Sequence, residues 1–210
     1  MTKAKIFGVS RHRLTVDGEG VTTLVAFNGC PLRCKYCLNK ASWDMDKGRD
    51  YTPEMLFEDV KIDQLYFLAT HGGVTFGGGE PLLQKEFIKE FRALCGPQWQ
   101  IVVETSLHVP FETVQEMNDI LDGYIVDIKD MNPEIYSRYT GKDNGNVLAN
   151  LSSLAEKGLA EKCVIRVPLI PDYNTLDDVS RSETKVKALG FERIDQFEYD
   201  VDYAKRKRNL

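Results

Sequence analysis

Six short apolar runs recur along the 210-residue chain, most of them followed by a stretch with helical spacing. This alternation limits the fold more than any other feature. The runs cover 24–28, 73–76, 100–104, 123–127, 163–168 and 194–199. They are rich in Val, Ile and Phe and mostly do not alternate with polar residues, as in strands buried on both faces. The first helical stretch starts at Thr52-Pro53, with Thr as N-cap and Pro at the first helical position, and carries Leu56, Val60, Leu65, Phe67 and Leu68 on its apolar side. Residues 84–95 place Phe87, Ile88, Phe91, Leu94 and Cys95 on one face, and 110–121 do the same with Val114, Met117, Ile120 and Leu121. Stretches 146–157 and 180–189 run into Gly158 and Gly190, which fit C-terminal cap positions. Strands alternating with helices predict βαβ units and a parallel sheet. A full eightfold barrel uses about 250 residues, so the expectation is one domain over 1–210, an α/β partial (β/α)6 barrel of parallel strands.

Composition narrows the class. The net charge is −5, with 42% hydrophobic and 28% charged residues, as in a globular protein. The charge is uneven: residues 1–50 carry nine Lys/Arg against five Asp/Glu, residues 51–200 carry 14 against 26, and 201–210 carry four against one. An acidic balance argues against non-specific nucleic-acid binding. No run approaches the roughly 18 uncharged apolar residues of a membrane span, and the first residues lack the apolar stretch of a secretory signal. Of the five cysteines, three fall within eight residues. That pattern predicts a reducing, cytoplasmic location and a metal centre rather than a disulfide scaffold.

The three cysteines lie in Cys30-Pro31-Leu32-Arg33-Cys34-Lys35-Tyr36-Cys37, a C-x3-C-x2-C loop directly after the first strand. Four-cysteine zinc sites use two separated C-x-x-C pairs, and Cys95 and Cys163 form no second pair. Three thiolates and one open position fit a [4Fe–4S] cluster with one iron free for an outside ligand. The alternatives are three unrelated cysteines, or a zinc site completed by His71 or His108.

With aromatic Tyr36 before the last cysteine, this loop resembles the signature of the radical S-adenosylmethionine (SAM) superfamily. The resemblance implies that Cys30, Cys34 and Cys37 hold the cluster, that SAM chelates the open iron, and that Tyr36 lies against the adenine. It further implies reductive cleavage of SAM to methionine and a 5′-deoxyadenosyl radical, which abstracts a hydrogen from substrate. The segment Val74-Thr75-Phe76-Gly77-Gly78-Gly79-Glu80-Pro81 would by itself be an ordinary strand-to-helix turn, and no Lys-Ser/Thr follows to make it a phosphate loop. Beside the cysteine loop, Gly78, Gly79, Glu80 and Pro81 resemble the superfamily's Gly-Gly-Glu-Pro segment, which binds the SAM amino group. Gly79 is the position where backbone approach to the ligand and a positive φ are expected.

Charged residues at the ends of buried strands need partners or ligands. Glu104 closes the third run, and Asp127 with Lys129 closes the fourth. These residues resemble those holding the ribose and methionine end of SAM in glycyl-radical-enzyme activating enzymes. Arg166, inside the fifth run, matches an arginine near SAM in those enzymes; an ion pair with Glu104 or Asp127 is the structural alternative. Apart from Arg166, every one of these groups falls at the C-terminal end of an expected strand, the face that carries active sites in α/β barrels.

The resemblance to the activators covers most of the chain and implies a glycyl-radical protein as substrate and a flavodoxin or ferredoxin as electron donor. Several positions depart from the pattern. Asp17-Gly18-Glu19-Gly20 stands where activators carry Asp-Gly-Pro-Gly, and its Gly-Glu-Gly is similar to 7-carboxy-7-deazaguanine synthase. Glu104 stands where Asp is usual, a departure at the place where activators can hold a monovalent cation near the counterpart of Asp127. Leu38 replaces a His, and Asp200 stands where a His that contacts SAM often follows the last strand. A small-molecule radical SAM enzyme and a non-catalytic iron–sulfur protein are therefore the alternative functions.

The cysteine assignment has a direct test. Anaerobically reconstituted protein is expected to carry about four irons and four sulfides per chain. Cys30→Ala, Cys34→Ala and Cys37→Ala each abolish that content, whereas Cys95→Ala and Cys163→Ala leave it intact. Iron and sulfide analysis checks this, and stoichiometric zinc would contradict it.

Overall fold

A computed structural model describes residues 2–201, so the basic run Lys205-Arg206-Lys207-Arg208 lies outside the described residues. All six expected strands are present, and two more precede or flank them. In chain order they are β1 (Ala4–Leu14), β2 (Val21–Phe27), β3 (Arg49–Tyr51), β4 (Gly73–Gly78), β5 (Gln100–Thr105), β6 (Gly123–Asp127), β7 (Cys163–Leu169) and β8 (Ile194–Glu198). The hydrogen-bonded order is β3-β1-β2-β4-β5-β6-β7-β8. Pairs β2–β4, β4–β5 and β7–β8 are parallel, and β1 pairs antiparallel with both β2 and β3. The helices are α1 (Pro53–Val60), α2 (Gln64–Thr70), α3 (Lys85–Cys95), α4 (Phe111–Met117), α5 (Pro133–Thr140), α6 (Gly145–Glu156) and α7 (Leu176–Ala188). Among the described residues no helix is long and apolar enough to cross a membrane.

The chain forms two compact units. Of the described residues, the first contains 2–30, Ala41–Thr105 and Glu112–Ile125; the second contains Pro31–Lys40, Ser106–Phe111 and 126–201.

In the first unit, β1 went unrecognised in the sequence because its outer half, Ser10-Arg11-His12, is exposed and polar. An antiparallel flanking strand needs only its backbone partners and a few inward residues, here Ala4 and Ile6. The strand is pinned at Asp63, whose buried carboxylate accepts from Arg11 Nε at 2.6 Å and contacts His12 Nε2 at 2.9 Å. The Arg11 guanidinium holds that carboxyl below its usual range against the opposing effect of burial.

Thr52 caps α1 by accepting from Met55 N, with Pro53 behind it, as expected. The apolar stretch 52–68 is not one helix: a 3-10 turn at Lys61–Asp63 separates α1 from α2. The turn rotates the second segment, so Leu65 and Leu68 are exposed while Leu56, Val60 and Phe67 are buried. Helix α3 buries Phe87, Ile88 and Phe91 but leaves Leu94 exposed.

The core of this unit is aromatic. Phe27 stacks on Phe76 at 5.3 Å and meets Phe87 edge-on, Phe91 meets Phe76 at 5.4 Å, and Trp99 packs between Phe57 at 5.5 Å and Phe67 at 5.0 Å. Such offset and edge-to-face pairs add to the area each ring buries.

In the second unit, α5 is a helix that no apolar run announced. Asn132 caps it by accepting from Glu134 N, Pro133 occupies the first turn, and Gly141 at φ +78 ends it. Helix α7 begins at a capping box between Thr175 and Asp178, four residues before the expected start, and Gly190 follows its end at φ +97. Asn150 of α6, fully buried, donates to the carbonyls of Leu107 and Val109 and so fixes the loop that follows β5.

Phe91 joins three aromatic neighbours and is fully buried. Phe91→Ala is expected to cost about 3–5 kcal/mol through lost contacts and the cavity left behind. Urea denaturation followed by far-ultraviolet circular dichroism measures it.

Candidate active site

The first unit supplies a cradle of backbone. Beyond the last ladder residue of β2, Gly79 N donates to Phe27 O at 2.9 Å and Glu80 N to Gly29 O at 2.7 Å, so the pairing of β2 with β4 continues into the loop that leads to Cys30. Gly29 N donates to Ser42 O at 2.6 Å, and the buried Asn28 amide donates to Asp44 O at 2.9 Å. The segment entering the cysteine loop is thus held from both sides.

The glycines have different duties from those expected. The positive φ belongs to Gly78, at +94, and not to Gly79. What Gly79 requires is space: a Cβ there would lie 2.1 Å from the carbonyl oxygen of Gly29. The absence of a side chain at Gly79 serves strand-end packing in the first instance. A Cβ on Gly77 would lie 3.1 Å from Glu104 Oε2, which places that carboxylate against the glycine run. Glu80 is buried, accepts from Thr105 Oγ1 at 2.6 Å and caps the following turn through Leu82 N.

The Asp17-Gly18-Glu19-Gly20 segment lies elsewhere. It joins β1 to β2, Thr75 Oγ1 donates to Asp17 O, and a Cβ on Gly20 would meet Thr70 O at 2.3 Å. This loop therefore sits at the N-terminal ends of β2 and β4, opposite Cys30, Gly78 and Glu80. His71, the C-cap of α2 at φ +55, is at the same N-terminal end of β4, so it is no fourth ligand for a centre that includes Cys30.

The second unit carries the rest of the cysteine loop. Arg33 N donates to Thr140 O at 2.9 Å and Lys35 N to Tyr139 O at 3.1 Å, docking the loop on the last turn of α5. Leu32 and Tyr36 are buried on either side of Cys34, itself buried, and Cys37 N donates to Cys34 O at 3.1 Å. Burial pushes the Cys34 thiol up to about 11; Asp127 and Cys37 add to this and Lys129 opposes it. Tyr36 donates its hydroxyl hydrogen to Asp172 Oδ2 at 2.7 Å.

Asp127 and Lys129 form an ion pair that the sequence reading did not foresee: Lys129 Nζ lies 2.5 Å from Asp127 Oδ2. Burial works to lower the Lys129 ammonium, but the Asp127 carboxylate, with Tyr199, Cys34 and Tyr139, holds it well above its ordinary value. Lys129 adopts φ +60, a left-handed conformation that turns the chain directly after Asp127. Tyr199 was missed by sequence reasoning. Its hydroxyl accepts from Lys129 at 2.9 Å and donates to Asp127 Oδ2 at 3.2 Å, while the neighbouring Asp200 is exposed. Arg166 faces Asp195 across the β7–β8 register, Nε to Oδ2 3.6 Å, a partner the sequence did not point to.

Among the described residues no group of three or more His, Cys, Asp or Glu side chains is gathered as a metal ion's ligands would be. The donor chemistry nonetheless fits an iron–sulfur cluster and SAM. Three sulfur donors share one short loop. The buried Asp127 Oδ1 has no hydrogen-bond partner, leaving an acceptor for a cationic or N–H group of a ligand. His108 stacks beside Tyr136 at 6.4 Å, and burial lowers its imidazole.

Gly79→Ala is expected to destabilise the protein by about 3 kcal/mol and to reduce its iron content, because the backbone of Gly29 must move. Gly96→Ala, with open space around its Cβ and φ +68, costs only about 1 kcal/mol. Urea melts and iron analysis of the two variants separate a packing requirement from a conformational one.

The chain matches the radical SAM superfamily over residues 24–180. It is 32% identical over 174 residues to the pyruvate formate-lyase 1-activating enzyme of Escherichia coli (strain K12), covering 78% of this chain and 67% of that enzyme. It is 35% identical over an alignment 242 positions long to the (2S)-3-sulfopropanediol dehydratase activating enzyme of Klebsiella oxytoca, covering 85% of this chain and 74% of that enzyme. Among solved structures, SuiB of Streptococcus suis bound to precursor peptide SuiA matches with a TM-score of 0.63 at 13% identity, over 84% of this chain and 39% of that one, a likeness of fold alone. The chain belongs to the radical SAM superfamily: it is an enzyme of the kind that includes the glycyl-radical-enzyme activating enzymes, and its cofactors are S-adenosylmethionine and a [4Fe–4S] cluster.

Proposed function

We propose that this enzyme activates a glycyl-radical enzyme, removing a hydrogen atom from a glycine of a larger partner protein. The observation that carries this reading is the 32–35% identity to activating enzymes over 78–85% of the chain. In this reading residues 1–210 act as one radical SAM domain. Cys30, Cys34 and Cys37 hold the cluster. Tyr36, Gly78, Gly79, Glu80, Glu104, Asp127, Lys129 and Arg166 hold SAM. A flavodoxin or ferredoxin supplies the electron.

The bound cofactors supply a reductively generated carbon-centred radical, and the protein supplies binding and orientation. The buried Lys129 ammonium and the unpaired Asp127 Oδ1 form a fixed pair of opposite charges, suited to the carboxylate and amino group of an amino acid. The backbone cradle at Gly78 and Gly79 keeps that end of the site free of side chains.

The Gly-Glu-Gly likeness to a small-molecule enzyme carries little weight for the substrate, because Gly18, Glu19 and Gly20 sit at the strand ends opposite Cys30. The test is 5′-deoxyadenosine turnover and the glycyl-radical electron paramagnetic resonance signal, with and without a glycyl-radical protein encoded nearby. Turnover is expected to rise, and the radical signal to appear, with that protein. A rise only with a small molecule rejects activation and leaves the radical SAM assignment intact.

A further inference from the structure

The loop after β7, which leads into α7, is tied by several hydrogen bonds within the second unit. Asn174 ties its base: its side chain accepts from Ile170 N at 2.6 Å and donates to Pro168 O and to Asp130 Oδ2, both at 3.0 Å. Tyr173 N and Asn174 N both donate to Ile170 O. Within this turn Asp172 stands at φ +69, a left-handed conformation that, apart from glycine, aspartate and asparagine adopt more readily than other residues.

Two consecutive side chains from the turn converge on one ring of the cysteine loop. Asp172 Oδ2 accepts the Tyr36 hydroxyl hydrogen at 2.7 Å, and the Tyr173 ring meets Tyr36 edge-on at 5.6 Å. Tyr173 is itself held by the guanidinium of Arg138, which donates to its carbonyl and lies 5.5 Å from its ring. Tyr139 completes the enclosure at 6.2 Å from Tyr36 and 5.1 Å from Tyr173. The hydroxyl of a phenol lies on the ring's own rotation axis, so a bond to it fixes where the ring's outer end sits, while packing against its faces and edges fixes its plane; Asp172 supplies the first, and Tyr173 and Tyr139 the second.

We propose that Asp172 is a positioning residue for SAM binding: by accepting the Tyr36 hydroxyl hydrogen from a left-handed turn, it fixes the position of the ring against which adenine lies. The inference rests on the reading of Tyr36 as the neighbour of adenine. Asp172 touches neither cluster nor SAM in this role, and it lies 136 residues from Tyr36 in sequence.

The experiment uses the anaerobically reconstituted enzyme and measures the SAM dissociation constant from the change SAM makes in the electron paramagnetic resonance spectrum of the reduced cluster. Iron per chain and thermal midpoint are followed in parallel. Asp172→Gly removes the acceptor while tolerating the backbone conformation. Tyr36→Phe removes the donor and keeps the ring. Each is expected to weaken SAM binding about fivefold, the scale of one lost hydrogen bond, with iron content and thermal midpoint at wild-type values. The double variant is no weaker than the weaker single one, because both remove the same bond. Asp172→Asn, whose amide oxygen still accepts and which tolerates the left-handed turn, retains wild-type affinity within about twofold.

Wild-type affinity in Asp172→Gly, with weakened binding in Tyr36→Ala, overturns the role of Asp172 alone. Wild-type affinity in Tyr36→Ala overturns the reading of Tyr36 and the proposal with it. A fall in iron content or thermal midpoint in step with SAM affinity makes Asp172 a structural tie and overturns the proposal.

Discussion

At the ends of β2 and β4 everything depends on two backbones meeting with no side chain between them. Glu80 N reaches Gly29 O at 2.7 Å only because Gly79 leaves that carbonyl uncovered. The strand pairing therefore persists past the regular sheet and delivers Cys30 from a fixed point rather than from a slack loop. Glu80, carried on the same segment, is buried and finds Thr105 at the end of β5, so three consecutive strand ends are tied together. A buried carboxylate is costly unless it is hydrogen-bonded. The need to satisfy Glu80 thus constrains the glycine run as firmly as the run constrains the cysteine loop.

The second unit is organised around a charge pair with little water. Lys129 and Asp127 lie two residues apart, and the left-handed backbone at Lys129 folds its side chain back on the carboxylate. Removing either charge would leave the other buried and unpaired, which is far costlier than the pair is worth. Tyr199 bonds to both and adds a second strand end, that of β8, while one oxygen of Asp127 is left without a partner. In the proposed reading, in which this pair meets the amino-acid end of SAM, its charges are oriented before the ligand arrives and reorganise little on binding.

Much of the framework was legible in the chain. The six strands, the Thr52-Pro53 start and the glycine helix ends are written in local patterns of apolar spacing and backbone preference, although β8 buries none of its residues. Elements that fold on tertiary support were not. Strand β1 is polar over its outer half and exists through its backbone pairing; α5 has a cap and a Pro but a mixed face; the break between α1 and α2 follows from Asp63, whose partners Arg11 and His12 are about 50 residues away. Glu104, Asp127, Lys129 and the three cysteines stand out in the sequence as candidates because charged or thiol groups at strand ends are conspicuous. The partner of Arg166 did not, since cross-strand register pairs it with Asp195.

The sequence by itself determined the fold class and the kind of chemistry, because periodicity, caps and the C-x3-C-x2-C spacing are properties of neighbouring residues. Only the tertiary structure decided which groups hold which. It brings Tyr199 to Lys129, sets Gly79 against Gly29, and brings Asp172 to Tyr36. The partners in these contacts lie 70 and 136 residues apart for Tyr199 and Asp172. At such separations no local spacing rule operates; strand register, a left-handed turn and the packing of aromatic rings settle which atoms meet.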